Sequence, residues 1–400
     1  METRAAQARR PGRARWTVEC EALDGLAPFV VAEVERVLGG RARLLAGEER
    51  TAVRLAWSGP LGDLLGLRTP VAAYLLSSVE GRRPSALLGD ERLFEQVEAV
   101  RRLHPPGAFS SFRLSVPGAG SAAVRRLREE LAARTGLADD PDDGELLLRI
   151  RRAHGGGSGW DQLTRLSPRP LSARSWRVWN LPGALNATIA AAMVELSRPG
   201  PSDRVLNLMC GSGTLLVERL ARAPVASALG CDLDPAVLGG ARANLAAAGL
   251  AGAAALARMD ATRLALPDGR FDVLLADLPY GHRMGSHEAN AALYPAVLEE
   301  AARVAAPGAR FLALTHDLRL FEHSLGPAGR WWLAERAVQV FQKGHHPVIH
   351  LLRRRPWVSA AAPGSRQLPP GSRPAGRRTS TPPSRPAARP RRRAGGTGRG

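Results

Sequence analysis

The sequence predicts an α/β protein in three folded parts, two small α+β units followed by a larger domain on a mostly parallel sheet. From residue 203 onward, strand and helix patterns alternate, which puts parallel strands beneath helices on both faces. Ahead of that point, residues 16–90 and 91–155 hold short strands and amphipathic helices in two groups, and no internal repeat links them.

Taken in order, residues 1–15 are expected to be a flexible N-terminus. In 16–90, WTVECEA reads as a strand, LAPFVVAEVERVLG as a helix and TAVRLAW as a strand. In 91–155, LFEQVEAVRRL is helical by its spacing and AFSSFRLSV is a strand. SAAVRRLREELAARTG is a helix stopped by glycine, and ELLLRIRRA is a strand. The run HGGGSGW is expected to be a flexible joint. Residues 156–200 form an arginine-rich connector and a helix, and 201–355 the large domain. Residues 356–400, with ten arginines, no acid and much Pro, Gly and Ser, have the composition of a disordered tail.

A chain of 400 residues that is 44% hydrophobic can bury a sizeable core. No run of about 18 uncharged apolar residues occurs, and no hydrophobic stretch follows the N-terminal arginines, so neither a spanning helix nor a secretion signal is predicted. A cytoplasmic location and no membrane partner are expected. Cys20, Cys210 and Cys231 are widely spaced and odd in number, which fits reduced thiols rather than a disulfide framework or zinc ribbon. The net charge of +19 suits a polyanionic partner such as RNA, although about half of it lies in the tail.

The segment DRVLNLMCGSGTLLVERL sets a strand, a turn containing GSG and a helix in succession. Glycine there lets the backbone turn sharply and approach a ligand. Asn207, Gly211, Ser212, Gly213 and Thr214 are the candidate cofactor-binding residues of this turn. About twenty residues on, a second strand ends in Asp232, from which a carboxylate can accept both ribose hydroxyls. A third ends near Asp260, suitably placed for an adenine amine, and a fourth runs into DLPY at 277–280. Leu216 stands where the third glycine of a nicotinamide fingerprint belongs, and no GK[ST] follows the turn. A nucleoside cofactor without pyrophosphate, S-adenosylmethionine, fits these residues.

NLMCGSGTLLVE, GCDLDPAVLGGARANL, RMDATRLALPDGRFDVLLADLPYG and SARSWRVWNLPGALNATIAAAMVEL resemble the THUMP-domain RNA methyltransferases, which modify the exocyclic amine of guanine in tRNA. The resemblance covers roughly residues 16–355. It implies a Rossmann-like class I methyltransferase domain preceded by ferredoxin-like (16–90) and THUMP-like RNA-binding (91–155) domains. It also implies S-adenosylmethionine as cofactor and RNA, with tRNA the expected kind, as partner. Two departures stand out: Asn207 replaces the usual acid of the glycine-loop motif, and SVPGAGSAA lacks the basic residues relatives carry after the first THUMP strand.

An aryl amine is a weak nucleophile that gains positive charge as it attacks, so acceptors aimed at its hydrogens favour the reaction. Asp277 is the candidate for one acceptor and the Leu278 carbonyl for the other. Pro279 restrains the turn, and Tyr280 would stack on a base taken out of its helix. Other readings stay open: DLPY as an ordinary strand-to-loop turn, GSGT as a tight turn, and Asp232 and Asp260 as caps. His282 and Arg283 fit either a phosphate contact or a solvated loop. Arg174 and Arg177 fit either RNA binding or a linker. His345, His346 and His350 read as part of a terminal hairpin rather than a metal site, and HEAN at 287–290 lacks a second histidine. The acceptor is expected to be a guanine amine in RNA. An adenine amine, a glutamine amide, or an inactive RNA-binding protein are the alternatives. Neither the oligomeric state nor the need for a small activator subunit is written in the sequence.

Overall fold

The computed structural model describes residues 15–47, 49–154, 158–279, 287–341 and 344–356. The N-terminal extension, the C-terminal tail, Tyr280, His282 and Arg283 therefore lie outside the described residues.

The N-terminal region forms one eight-stranded sheet. Its elements are β1 (Trp16–Glu21), α1 (Ala27–Leu38), β2 (Ala42–Leu44), β3 (Ala52–Trp57), β4 (Ala72–Val79), α2 (Glu91–Arg101), β5 (Ser111–Ser115), α3 (Ala122–Thr135), β6 (Ala138–Asp139), β7 (Leu146–Arg152) and β8 (Trp160–Arg165). The strand order is β2-β3-β1-β4-β8-β7-β5-β6. Local signals place the helices: Asp90 caps α2 through the Arg92 amide, Ser121 caps α3 through the Val124 amide, and Gly136 ends α3 in a left-handed conformation.

Residues 160–165, expected to begin a connector, are instead the strand β8 that joins the two small units, pairing with β4 on one side and β7 on the other. The glycine run before it lies between two antiparallel strands of one sheet, with Arg152 opposite Trp160; Gly155, Gly156 and Gly157 themselves are outside the described residues. Polar residues disguise this strand. Asp161, Gln162 and Thr164 are all buried, and their partners lie far away in sequence: Ser78 donates to Asp161 at 2.8 Å, Ser77 to Gln162 at 3.2 Å, and Thr164 to Gln96 of α2 at 2.9 Å.

The second region contains α4 (Ala187–Leu196), β9 (Arg204–Leu208), α5 (Thr214–Arg222), β10 (Ser227–Asp232), α6 (Pro235–Ala247), β11 (Ala255–Arg258), β12 (Phe271–Asp277), α7 (His287–Val304), β13 (Ala305–Thr315), α8 (Leu318–Ala328), β14 (Trp332–Gln339) and β15 (Val348–Arg354). The order is β11-β10-β9-β12-β13-β15-β14, with β11 through β13 parallel and the final hairpin antiparallel. The chain builds outward from β9 in one direction, to β10 and β11, and then returns to add β12 on its other side. The carboxyl ends of β9 and β12 thus flank a topological switch point, the crevice where open α/β sheets bind ligands.

The two regions share apolar packing. Leu26 and Phe29 of the α1 segment belong to the core made by α4, α5 and β9, and each contributes about 1.5–3 kcal/mol by leaving water. Polar contacts reinforce the joint: Glu218 of α5, fully buried, accepts from Arg68 Nε at 2.6 Å and Arg174 Nε at 2.9 Å, and Arg36 donates to Glu195 at 2.6 Å. Among the described residues, no helix is long and apolar enough to cross a membrane.

Candidate active site

The turn after β9 supplies one wall of the crevice. Met209 adopts φ +46°, uncommon for a residue with a side chain, and Gly213, at φ +77°, hands the chain directly to α5. A Cβ on Gly213 would lie 3.2 Å from the Ala241 side chain of α6, so the turn and α6 pack closely here. Asn207, Gly211, Ser212 and Thr214 line one cavity together with Asp277 at the tip of β12. Adjacent strands bring them together: Asn207 pairs in register with Leu275, two residues before Asp277.

Asn207 is almost wholly buried. Its Nδ2 donates to the carbonyls of Leu275 at 3.0 Å and Leu208 at 3.2 Å, while Oδ1 is buried without a partner among the described residues. A carboxylate at this position would set an acceptor against the Leu275 carbonyl oxygen, also an acceptor, which gives the amide a local reason to be here. The orphaned Oδ1 fits a ligand that brings a hydrogen-bond donor, as an ammonium group does.

Asp232, half-buried at the tip of β10, accepts from the Gly211 amide at 2.9 Å and the Asp234 amide at 3.2 Å. One carboxylate thus holds the glycine turn and the start of α6. Asp260 stands apart. It is exposed beyond β11, outside the cavity shared by Asn207 and Asp277, and its Oδ1 accepts from the Thr262 amide and hydroxyl, which hold its carboxyl below the usual range. In this structure Asp260 caps its own turn.

Asp277 is half-buried and has no side-chain hydrogen bond among the described residues; its close-packed surroundings push its carboxyl up to about 7. The Leu278 amide continues the ladder by donating to Leu314 at 2.9 Å. The Pro279 carbonyl accepts from Tyr294 Oη at 2.9 Å and Asn290 Nδ2 at 3.2 Å, so α7 pins the turn that follows Asp277. Neither Asn290 nor Tyr294 was expected from sequence; both are buried members of an amphipathic helix, and nothing local marks them as supports of the site.

A strap covers the crevice. Residues 176–185 cross from the connector to α4, and Leu181, Gly183, Ala184 and Leu185 roof the glycine turn. Asn244 of α6 clamps the strap, accepting from the Trp179 amide at 2.9 Å and donating to the Trp179 carbonyl at 2.9 Å and the Ser212 carbonyl at 3.0 Å. Gly240 receives the Trp179 ring so closely that a Cβ there would fall 2.1 Å from it. Arg177 Nη2 donates to the Leu185 carbonyl at 2.8 Å and Thr214 Oγ1 at 3.0 Å. Arg174, by contrast, is turned inward onto Glu218, Leu171 and Arg68, with its side chain only 7% exposed, so the reading of it as an RNA contact does not hold.

Beneath the strap lies a second cavity of about 380 Å³, lined by Arg177, Asn180, Leu181, Pro182, Leu185, Leu314, His316, His345 and again Asp277. Asp277 therefore lines two spaces, one under the glycine turn and one beneath the strap. Burial, and then His345, lowers the His316 ring to about 4, so it is neutral near pH 7. His350, in β15, packs against Phe321 with ring centroids 4.4 Å apart and planes tilted by 35°, and His346 meets Phe341 at 5.1 Å. The three histidines of that hairpin thus face different partners. All three cysteines are buried and unpaired, and burial raises each thiol, which makes them poor nucleophiles.

With this geometry in hand, residues 174–347 match a family described as RMKL-like, methyltransferase domain. The cattle protein named tRNA (guanine(6)-N(2))-methyltransferase THUMP3 is 31% identical over 187 residues, 44% of this chain and 37% of that protein. The chain thus spans little more than a third of the mammalian relatives it matches. A Thermus thermophilus protein named tRNA (guanine(6)-N2)-methyltransferase is 28% identical over 358 residues, 84% of this chain and 99% of the relative. The crystal structure of TrmN from Thermus thermophilus superposes with a TM-score of 0.65 at 26% identity, covering 85% of this chain and all of that one. The matched residues 174–347 take in the strap, the glycine turn and the sheet strands β9 through β14, and what they resemble is an RMKL-like methyltransferase domain; the architecture is that of a class I methyltransferase fold.

Proposed function

We propose that the protein transfers a methyl group from S-adenosylmethionine to the 2-amino group of a guanine in tRNA. The observation that carries this reading is Asp277, a single carboxylate lining both the cavity of the glycine turn and the cavity beneath the strap. The name of the Thermus thermophilus relative that aligns over 84% of this chain supports guanine and tRNA, with position 6 as the target. tRNA as substrate goes with work in the cytoplasm, and we keep that location as part of the proposal.

Asn207, Gly211, Ser212 and Thr214 would hold the cofactor, with Asp232 fixing the turn through the Gly211 amide. When bound, S-adenosylmethionine supplies a methyl group on a sulfonium centre. Asp277 accepts a hydrogen of the guanine amine and, with its carboxyl near 7, is basic enough to take the proton that the nitrogen sheds as it becomes bonded to carbon. The Leu278 carbonyl is the second acceptor. Pro279, its own carbonyl engaged by Tyr294 and Asn290, keeps that peptide from swinging away. Tyr280 is assigned the stacking role on the extruded base.

Nucleoside mass spectrometry of tRNA from a strain lacking the gene tests the proposal. Loss of N2-methylguanosine, restored by the wild-type gene, is the expected result. Unchanged N2-methylguanosine with loss of a methylated adenine would move the acceptor to adenine.

A further inference from the structure

We propose that Arg177 selects the base, donating to the O6 edge of a guanine whose 2-amino group lies against Asp277. The inference rests on the methyltransferase reading above and names the residue that sets its specificity. Arg177 and Asp277 line the same cavity, whose remaining walls include the apolar side chains of Leu181, Pro182, Leu185 and Leu314, suited to a flat ring. The bonds to Leu185 and Thr214 use only Nη2, so Nε and Nη1 have no hydrogen-bond partner among the described residues. Neither atom is buried without a partner, so both are open to solvent at the cavity and remain available to a ligand acceptor.

Guanine is the base this pair complements. Its 2-amino group and N1–H are donors that suit a carboxylate, and O6 and N7 are acceptors that suit a guanidinium. Adenine carries an amine in place of O6, so its donor would meet the donors of Arg177. A phosphate is the other anionic group an arginine could bind. An extruded nucleotide enters a pocket base first, however, which leaves its phosphates at the mouth, whereas Arg177 is anchored inside through Thr214 of the glycine turn. His316, neutral near pH 7, does not compete as a cation.

The test uses the full chain, S-adenosylmethionine, and a tRNA assembled with either guanine or 2,6-diaminopurine at position 6. The analogue keeps the 2-amino group and replaces O6 with an amine. Wild type is expected to prefer guanine by at least about tenfold in kcat/KM, and both Arg177→Gln and Arg177→Lys to narrow that preference by at least about fivefold, the scale of one base-edge contact. Cofactor affinity in both variants should stay within about threefold of wild type, by calorimetry. Equal losses on both substrates, with the preference unchanged, would overturn the assignment in favour of a phosphate contact. Loss of cofactor binding would overturn it in favour of support for the glycine turn. Wild-type protein that binds cofactor yet methylates neither tRNA would sink the parent proposal as well.

Discussion

The Asp232 carboxylate accepts the Gly211 amide at 2.9 Å and thereby ties the turn after β9 to the tip of β10. The residue expected to take ribose hydroxyls also shapes the glycine turn to which the proposal assigns the cofactor. Asp232→Ala removes both roles and leaves the Gly211 and Asp234 amides without this acceptor. Cofactor affinity should fall by at least about tenfold, which is 1.4 kcal/mol, by calorimetry. Wild-type affinity in this variant would show that the carboxylate neither shapes the loop nor touches the ligand.

Gly240→Ala tests the strap. A methyl group there collides with the Trp179 ring, which is 2.1 Å from the added carbon, and must push the strap off the glycine turn. Tryptophan emission should shift and kcat/KM should drop by up to about 100-fold, the usual cost of displacing a positioned group by an ångström or so. The fold should survive, because Gly240 faces the strap and not the sheet.

Burial raises Asp277 to about 7, which predicts two pH effects of different kinds. In the free enzyme the acceptor works as the carboxylate, so kcat/KM should rise with pH through about 7 and level off above it. Stability runs the other way. Between the unfolded value of 3.8 and the folded value of about 7, the folded state holds a proton that the unfolded chain has lost, so folding is progressively weakened as pH rises across that window. Asp277→Asn removes this dependence and should gain stability relative to wild type between pH 5 and pH 8, measured as the shift in denaturation midpoint. An identical difference at both pH values would show that Asp277 titrates normally.

Glu218 joins the two regions through Arg68 and Arg174, and its side chain is fully buried. Removing it leaves the Arg174 guanidinium, only 7% exposed, without its carboxylate. Glu218→Ala should cost about 3–5 kcal/mol by denaturant unfolding, the range for breaking one member of a buried ion pair. A change below about 1 kcal/mol would reduce the contact to a surface-like pair.

The parts of this architecture legible in sequence are those encoded locally. The strand, glycine turn and helix from Arg204 to Arg222 follow from adjacent residues, as does the DLP turn after β12. β8 was not legible because its buried Asp161, Gln162 and Thr164 look solvent-facing until Ser78, Ser77 and Gln96 arrive from other elements. The same reason hid Asn244 and Tyr294, whose roles exist only once α6 meets the strap and α7 meets the turn. One signal was available: a Gly-Gly pair inside α6 is costly for a helix, and close approach by another segment at Gly240 is its compensation. Asp260 shows how a strand-end acid two residues before a threonine also serves as a turn cap, a second role that the strand pattern alone does not distinguish.

The most direct measurement is methyl transfer to tRNA by Asp277→Ala, taken together with its cofactor affinity. If one carboxylate serves as the wall between cofactor and base, the variant binds S-adenosylmethionine with an affinity close to wild type and forms no N2-methylguanosine. Wild-type turnover by the variant would contradict that role.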